Sequence, residues 1–141
     1  MEQRAAEPRE IVRDAGREAF AFLLGSDFLG PEITEDGLIY HRPGMQVEVR
    51  YLGPYEPEVS TTVRHREPGG VSRSAALGCL YVALGAGTAQ DLTGTADTPV
   101  AVAARVAEHA AALRTLLPAL LGPDLDEAIR RCQGRSLPRP D

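Results

Sequence analysis

The chain lacks several residue types and sequence patterns, and each absence excludes some classes of protein function. It contains no Trp, Lys or Asn, so all fifteen basic residues are Arg. Twenty acidic residues outnumber them, which gives a formal net charge of −5. A protein that binds the nucleic-acid backbone needs a basic stripe that releases counterions. The charge balance therefore argues against a nucleic-acid partner.

Long apolar runs are also missing. The first ten residues, MEQRAAEPRE, do not form the basic start and apolar stretch of a signal peptide. The longest nearly uncharged segment, residues 74–90, is interrupted by three glycines and falls short of a membrane span. We therefore expect a cytoplasmic protein without membrane association.

Cysteine is scarce, and the two thiols, Cys79 and Cys132, belong to no CxxC pair. A reducing compartment leaves such residues as thiols, and a free Cys behaves as a small buried hydrophobe. We expect both to be reduced and structural.

Catalytic and ligand-binding motifs are absent as well. Gly85 and Gly87 begin a dinucleotide-type loop, but Gln90 stands where its third glycine is needed. No Ser lies in a G-x-S-x-G elbow, and the three histidines have no metal-ligand spacing: His41, His65 and His109. We expect no catalytic residues, no cofactor and no metal site.

The length of 141 residues suits one domain, which we place at residues 1–134, followed by a flexible tail at 135–141. Pro8 is suited to the first turn of a helix, and apolar residues then recur every three or four positions. This pattern predicts an amphipathic first helix that Gly25 ends in a left-handed conformation.

Downstream the apolar period becomes two, and three turns separate four predicted strands. Asp36-Gly37 favours a two-residue type I′ hairpin, and Pro43-Gly44 favours a type II turn. The resulting alternation assigns one group to the core and an opposite group to a solvated face. The core group is Ile33, Leu38, Tyr40, Met45, Val47, Val49, Tyr51, Val59 and Val63; the solvated group is Ile39, His41, Gln46, Glu48 and Arg50.

The second half of the sequence predicts helices. Ser72 or Ser74 can cap a helix that runs to Leu84, although the apolar run 79–84 is also short enough for a strand. Thr98-Pro99 begins a long third helix, within which Pro118 predicts a kink or break.

A last short helix follows at Asp126–Gln133. The predicted fold is thus α+β: an N-terminal helix, a four-stranded antiparallel meander, and two or three C-terminal helices packed on one sheet face.

Three segments carry a family resemblance: FAFLLGSDFLGPEI, GLIYHRPGMQVEVRYLG and EVSTTV. Their order resembles the opening of small bacterial toxin-immunity-like proteins, in which a helix with a phenylalanine-rich end precedes a meander. The segment AVAARVAEHAAALRTLLPALLG resembles the last third of uncharacterised proteins of GC-rich bacteria. The resemblance implies binding of another protein, and it supplies no catalytic residue.

The first functional hypothesis is therefore a non-enzymatic module that binds a protein partner, as an immunity protein does. Its negative charge would speed capture of a basic partner. The contact residues expected on the solvated sheet face and its adjoining loop are His41, Glu48, Arg50, Tyr55 and Glu56.

Two alternatives remain open. One is a small-molecule-binding or enzymatic domain with a cleft between the sheet and the third helix, where Tyr40 and His109 would be the polar groups. The other is a secretion-chaperone-like homodimer, since small acidic α+β proteins of that type also bind partner segments.

Overall fold

The computed structural model of the chain describes residues 7–53, 55, 57–66 and 69–134. Glu56 and the predicted tail 135–141 lie outside this range. Within it the fold is α+β, as predicted, but the sheet has five strands. The helices are α1 (Pro8–Ala19), α2 (Leu77–Ala83), α3 (Pro99–Leu120) and α4 (Leu125–Gly134), with 3₁₀ segments at Ala21–Ser26 and Ala89–Asp91; the strands are β1 (Leu29–Ile33), β2 (Gly37–Arg42), β3 (Met45–Leu52), β4 (Glu58–Arg66) and β5 (Ser72–Ala76).

The strands form an antiparallel meander in chain order, β1-β2-β3-β4-β5. The turn between β2 and β3 is the predicted one: Arg42 pairs with Met45, and Gly44 takes a positive φ of 75°. Glycine suits this position because it has no Cβ to oppose a positive φ.

The first hairpin differs from the prediction by two residues. Thr34 pairs with Gly37, so the loop is Glu35-Asp36 and not Asp36-Gly37. The Thr34 amide donates to the Gly37 carbonyl at 2.9 Å, and the Gly37 amide donates to Thr34 Oγ1 at 3.0 Å. The Thr34 hydroxyl thus supplies part of the turn. A two-residue slip preserves the faces of a strand, so the predicted core side of β2 to β4 was still correct. Ile33 was also predicted to lie in the core, but it is 43% exposed, because it lies near the end of the edge strand β1.

The sequence did not predict the fifth strand, β5. Ser72 and Ser74 were expected to cap a helix, but residues 72–76 pair with β4 from Arg66↔Ser72 to Thr62↔Ala76. The helix begins only at Leu77, after Ala76, and has no side-chain cap. Its end matches the expectation, since Gly85 takes a positive φ of 76° just beyond the last turn. A strand stabilised by pairing with β4 leaves little local signal.

Helices cover one face of the sheet. Helix α1 contacts β2 and β3, helix α3 contacts β4, and the two helices contact each other. Gly16 allows α1 to approach closely, because a Cβ there would lie 2.9 Å from Cδ2 of Leu38. The strand residues buried beneath these helices are Leu38, Tyr40, Met45, Val47, Val49, Val59, Thr61 and Val63.

The ends of the helices follow the predictions in part. Helix α1 stops at Ala19, a 3₁₀ segment follows, and Asp27, not Gly25, takes the left-handed conformation, with φ 69°. Helix α3 starts as expected, with the Ala101 amide donating to the Thr98 side chain at 3.1 Å. No described helix combines the length and apolarity that a membrane crossing needs.

Helix α3 runs without a break through Pro118, so the predicted break does not occur; the kink, the other form that the prediction allowed, stays a prediction. Pro118 and Arg114 are both exposed. Water can therefore solvate the Arg114 carbonyl, which has no amide partner in the next turn.

The two cysteines form a disulfide, which contradicts the expectation of two reduced thiols. Cys79 in α2 and Cys132 in α4 have Cα atoms 5.8 Å apart, although 53 positions separate them in sequence. That Cα separation is typical of disulfides. The bond links two helices that contact each other at the β5 side of the domain.

Candidate functional site: the outer face of the sheet

We call the side of β2, β3 and β4 opposite the core helices the outer face. No described helix lies across it, and its side chains are half-buried or exposed. It carries the residues predicted for the solvated side, together with their partners on β4: Ile39, His41, Gln46, Glu48, Arg50, Ser60, Thr62 and Arg64.

Three predicted contact residues lie on this face, spread along its length. His41 lies near the β2–β3 turn, whereas Arg50 lies opposite Gly37 at the other end of β2. At about 3.4 Å per residue, that places them about 14 Å apart along the strands. Glu48 lies between them, opposite Ile39 and Thr62.

The electrostatic surroundings of these three residues differ. His41 Nε2 donates to Glu32 Oε1 at 2.8 Å. Arg50 lies 3.8 Å from the Asp36 carboxylate in an exposed pair. Glu48 has no ion-pair or hydrogen-bond partner among the described side chains. Glu48 is therefore the open charge at the centre of the outer face.

Tyr55 lies in the β3–β4 loop, beyond the Arg50 end of the face. It is 95% exposed, more than any other large hydrophobic side chain of the described residues. A solvated phenol of this kind can contact a partner without disturbing the core.

Tyr40 and His109, the polar groups of the alternative cleft, are both in the core. Tyr40 is 0% exposed and His109 is 5% exposed. Tyr40 lies on β2, while His109 bonds to Thr61 on β4, so β3 separates their sites. A ligand could reach either group only by opening the contact between sheet and helices.

His109 is held by two hydrogen bonds that fix its tautomer. Its Nε2 lies 3.0 Å from the Thr93 carbonyl, which can only accept, so Nε2 carries the proton. Nδ1 then accepts from the Thr61 hydroxyl at 2.8 Å. Burial lowers the pKa of His109, and the Thr93 bond and Glu108 oppose that shift. The two bonds join α3, β4 and the loop that contains Thr93.

Tyr40 differs from His109, because its hydroxyl is buried and has no hydrogen-bond partner among the described residues. Burial raises the pKa of this phenol, and the charge of Arg17 offsets part of the rise. A buried donor without a partner loses its hydration and gains nothing in return.

We therefore predict that Tyr40→Phe stabilises the protein. Removing an unpaired buried hydroxyl should raise the free energy of unfolding by about 1 kcal/mol. Urea unfolding followed by circular dichroism measures this change. The control is Tyr51→Phe, where a half-buried ring keeps its hydroxyl near water and little change is expected. A clear loss of stability in Tyr40→Phe would show that the hydroxyl is hydrogen-bonded.

Two features near the end of β4 were not predicted from the sequence. Arg64 and Arg66 occupy alternate positions on β4, and both are exposed. His65, between them, points to the opposite side and donates from Nδ1 to Asp126 Oδ1 of α4 at 2.6 Å. The Arg-His-Arg pattern on a predicted strand was the available signal, since alternation places both arginines on one face.

Within the described ranges, no group of three or more His, Cys, Asp or Glu residues is placed to hold a metal ion. The arrangement instead offers a flat, polar sheet surface with charges fixed by strand register. Comparison with protein-family models, with curated proteins and with solved structures found no match to this chain.

Proposed function

We propose that this protein binds another protein through the outer face of its sheet. The observation that carries the proposal is the asymmetry of the sheet: the helices α1 and α3 cover one face, and no described helix lies on the other. Hydrogen bonding across five strands holds the outer side chains in a fixed register. A partner can therefore bind a preformed surface with little ordering cost.

The charges on this surface indicate the chemistry of the partner. Glu48 has no partner among the described residues and lies in the middle of the face. The whole chain carries a net charge of −5. A basic side chain of the partner that reaches Glu48 would form a charge pair with it. The electrostatic field of the net negative chain would also attract a basic partner. The proposed occupant is thus a protein with a basic contact surface.

The resemblance in sequence suggests that this binding neutralises the partner, as an immunity protein neutralises its toxin. Tyr55 extends the same surface at one end, where a large ring can add contact area. Binding by the outer face needs no change in the core, so a bound and a free form would share one fold.

We predict that exchanging the charges of Glu48 and Arg50 separates binding from folding. The Glu48→Arg, Arg50→Glu variant should melt close to the parent, because both half-buried side chains keep their charges in contact with solvent and such charges seldom contribute more than about 1 kcal/mol. Its affinity for a protein captured with the parent as bait should fall about tenfold or more, since the reversed charge repels a basic group. Calorimetric titration at low and moderate salt measures both affinities.

The matched control exchanges the charges of Glu127 and Arg131, an exposed pair on α4 at 3.3 Å. This variant keeps the net charge and leaves the outer face intact, so it should bind like the parent. Equal affinity of parent and Glu48→Arg, Arg50→Glu at both salt concentrations would place the contact elsewhere. Failure to capture any saturable partner would weigh against the function itself.

The Cys79–Cys132 disulfide argues against the cytoplasmic location that the sequence led us to expect. Disulfides persist in oxidising surroundings and are rare where glutathione keeps thiols reduced. A search for the partner should therefore include proteins that reach an oxidising compartment.

A further inference from the structure

A cavity of about 280 Å³ opens at the turn end of the outer face. Its lining includes the glycine of the β2–β3 turn and side chains from β2 to β5, and the members used below are His41, Gly44, Gln46, Arg64, Arg66 and Ser72. Strand pairing sets their positions, because Gln46 lies opposite both His41 and Arg64, and Ser72 lies opposite Arg66.

The two arginines give the cavity its charge. Arg64 and Arg66 project from the same side of β4, two residues apart, and both are exposed. Neither guanidinium group has an ion-pair, hydrogen-bond or ring partner among the described residues. Two like charges on neighbouring positions of one face repel each other. An anion between them would relieve that repulsion.

The remaining polar groups also favour an anion. The Gln46 amide and the Ser72 hydroxyl can donate hydrogen bonds. No described carboxylate lines the cavity. Glu32, on the adjoining strand β1, is bonded to His41 Nε2 at 2.8 Å, and Glu48, two positions beyond Gln46 on β3, is not part of the lining. The site therefore gathers donors without an acidic group that would repel a negative ligand.

We infer that this cavity binds an oxyanion, either a carboxylate or a phosphate group. Guanidinium groups present forked N–H donors that match the paired oxygens of both. The volume suits one such group and its immediate attachment, since pockets for larger ligands are typically about 300–1,000 Å³. The net charge of −5 opposes a polyanion, so a single anionic group is the ligand that fits.

This site goes beyond the proposed protein binding and does not depend on it. Glu48 attracts a basic group at the centre of the outer face, whereas Arg64 and Arg66 attract an acidic one at its end. Either function can be lost without the other, because different side chains carry them.

Titration with inorganic phosphate tests the inference directly. At constant ionic strength, adjusted with chloride, phosphate should produce saturating amide chemical-shift changes around Gly44 and Arg64, with a dissociation constant of about 1 mM or tighter. A parallel titration with acetate, which carries a single carboxylate, distinguishes the two sources of the oxyanion. The probe that saturates at the lower concentration identifies the preferred group.

The Arg64→Gln, Arg66→Gln variant should lose affinity for the tighter probe by about tenfold or more. Both residues are exposed, so the variant should fold, and its melting curve checks this. The control is Arg17→Gln, Arg131→Gln, which removes the same charge from exposed positions outside the cavity lining and should bind within about twofold of the parent. Equal losses in both variants, or no saturation of the parent by either probe, would overturn the inference.

Discussion

Replacing Leu113 with Asp should unfold the domain. Leu113 is 0% exposed on α3, one heptad after Val106, which is also fully buried. A carboxylate at this position would be desolvated without a partner, at a cost of several kcal/mol. The total stability of a domain is only about 5–15 kcal/mol. We expect Val106→Asp to have a similar effect, and loss of the cooperative melting transition in circular dichroism measures it.

Ala107→Asp is the matched control, because Ala107 adjoins Val106 on α3 but is exposed. It should cost about 0.5 kcal/mol, through helix propensity alone. Should Leu113→Asp remain soluble with the parent's melting curve, α3 could not pack on the sheet as described.

Breaking the disulfide should destabilise the protein by about 4 kcal/mol, the chain-entropy value for a loop of this size. The loop spans 53 positions and links α2 to α4. Its loss increases the conformational freedom of the unfolded chain, while α4 keeps its buried contacts through Leu125, Ala128 and Ile129. The midpoint of guanidinium unfolding, with and without reductant, measures the change.

The Cys79→Ser, Cys132→Ser variant serves as control, since its midpoint should be low and insensitive to reductant. The oxidised parent should yield no free thiol when it is labelled after unfolding. Two reactive thiols in the purified protein, or a midpoint that reductant does not move, would contradict the disulfide.

The central strands could be predicted because their information is local. Val47 and Val49 alternate with polar residues, and Pro43-Gly44 specifies its turn through its own backbone preferences. The strand that begins at Ser72 could not be predicted from the sequence, because it is defined by pairing with Arg66 and the neighbouring residues of β4. The prediction of two reduced thiols was wrong for the same reason, since spacing in the sequence does not show that Cys79 and Cys132 lie close together in the fold.

The candidate site shows a similar division. The direction of Glu48 and Arg50 follows from strand register, so the outer face was accessible from the sequence. The hydrogen-bond partners of His109 could not be predicted from the sequence, because Thr61 and Thr93 belong to a strand and a loop that are distant in sequence. Nor does any local pattern indicate that the side chains of Arg64 and Arg66 lack partners among the described residues, because that depends on where the other charges lie.

The meander has a consequence for how the chain is made on the ribosome. Each strand pairs with its predecessor, so β1 to β4 can assemble as they emerge. Helix α3, which covers β4, comes later, and its last residue is Leu120. At about 5–20 residues per second, the apolar side of the nascent sheet stays partly uncovered for several seconds after Arg66 is added. During that interval Val59 and Val63 would be exposed to chaperones and to other nascent chains, so slower synthesis between β5 and α3 should increase co-translational aggregation.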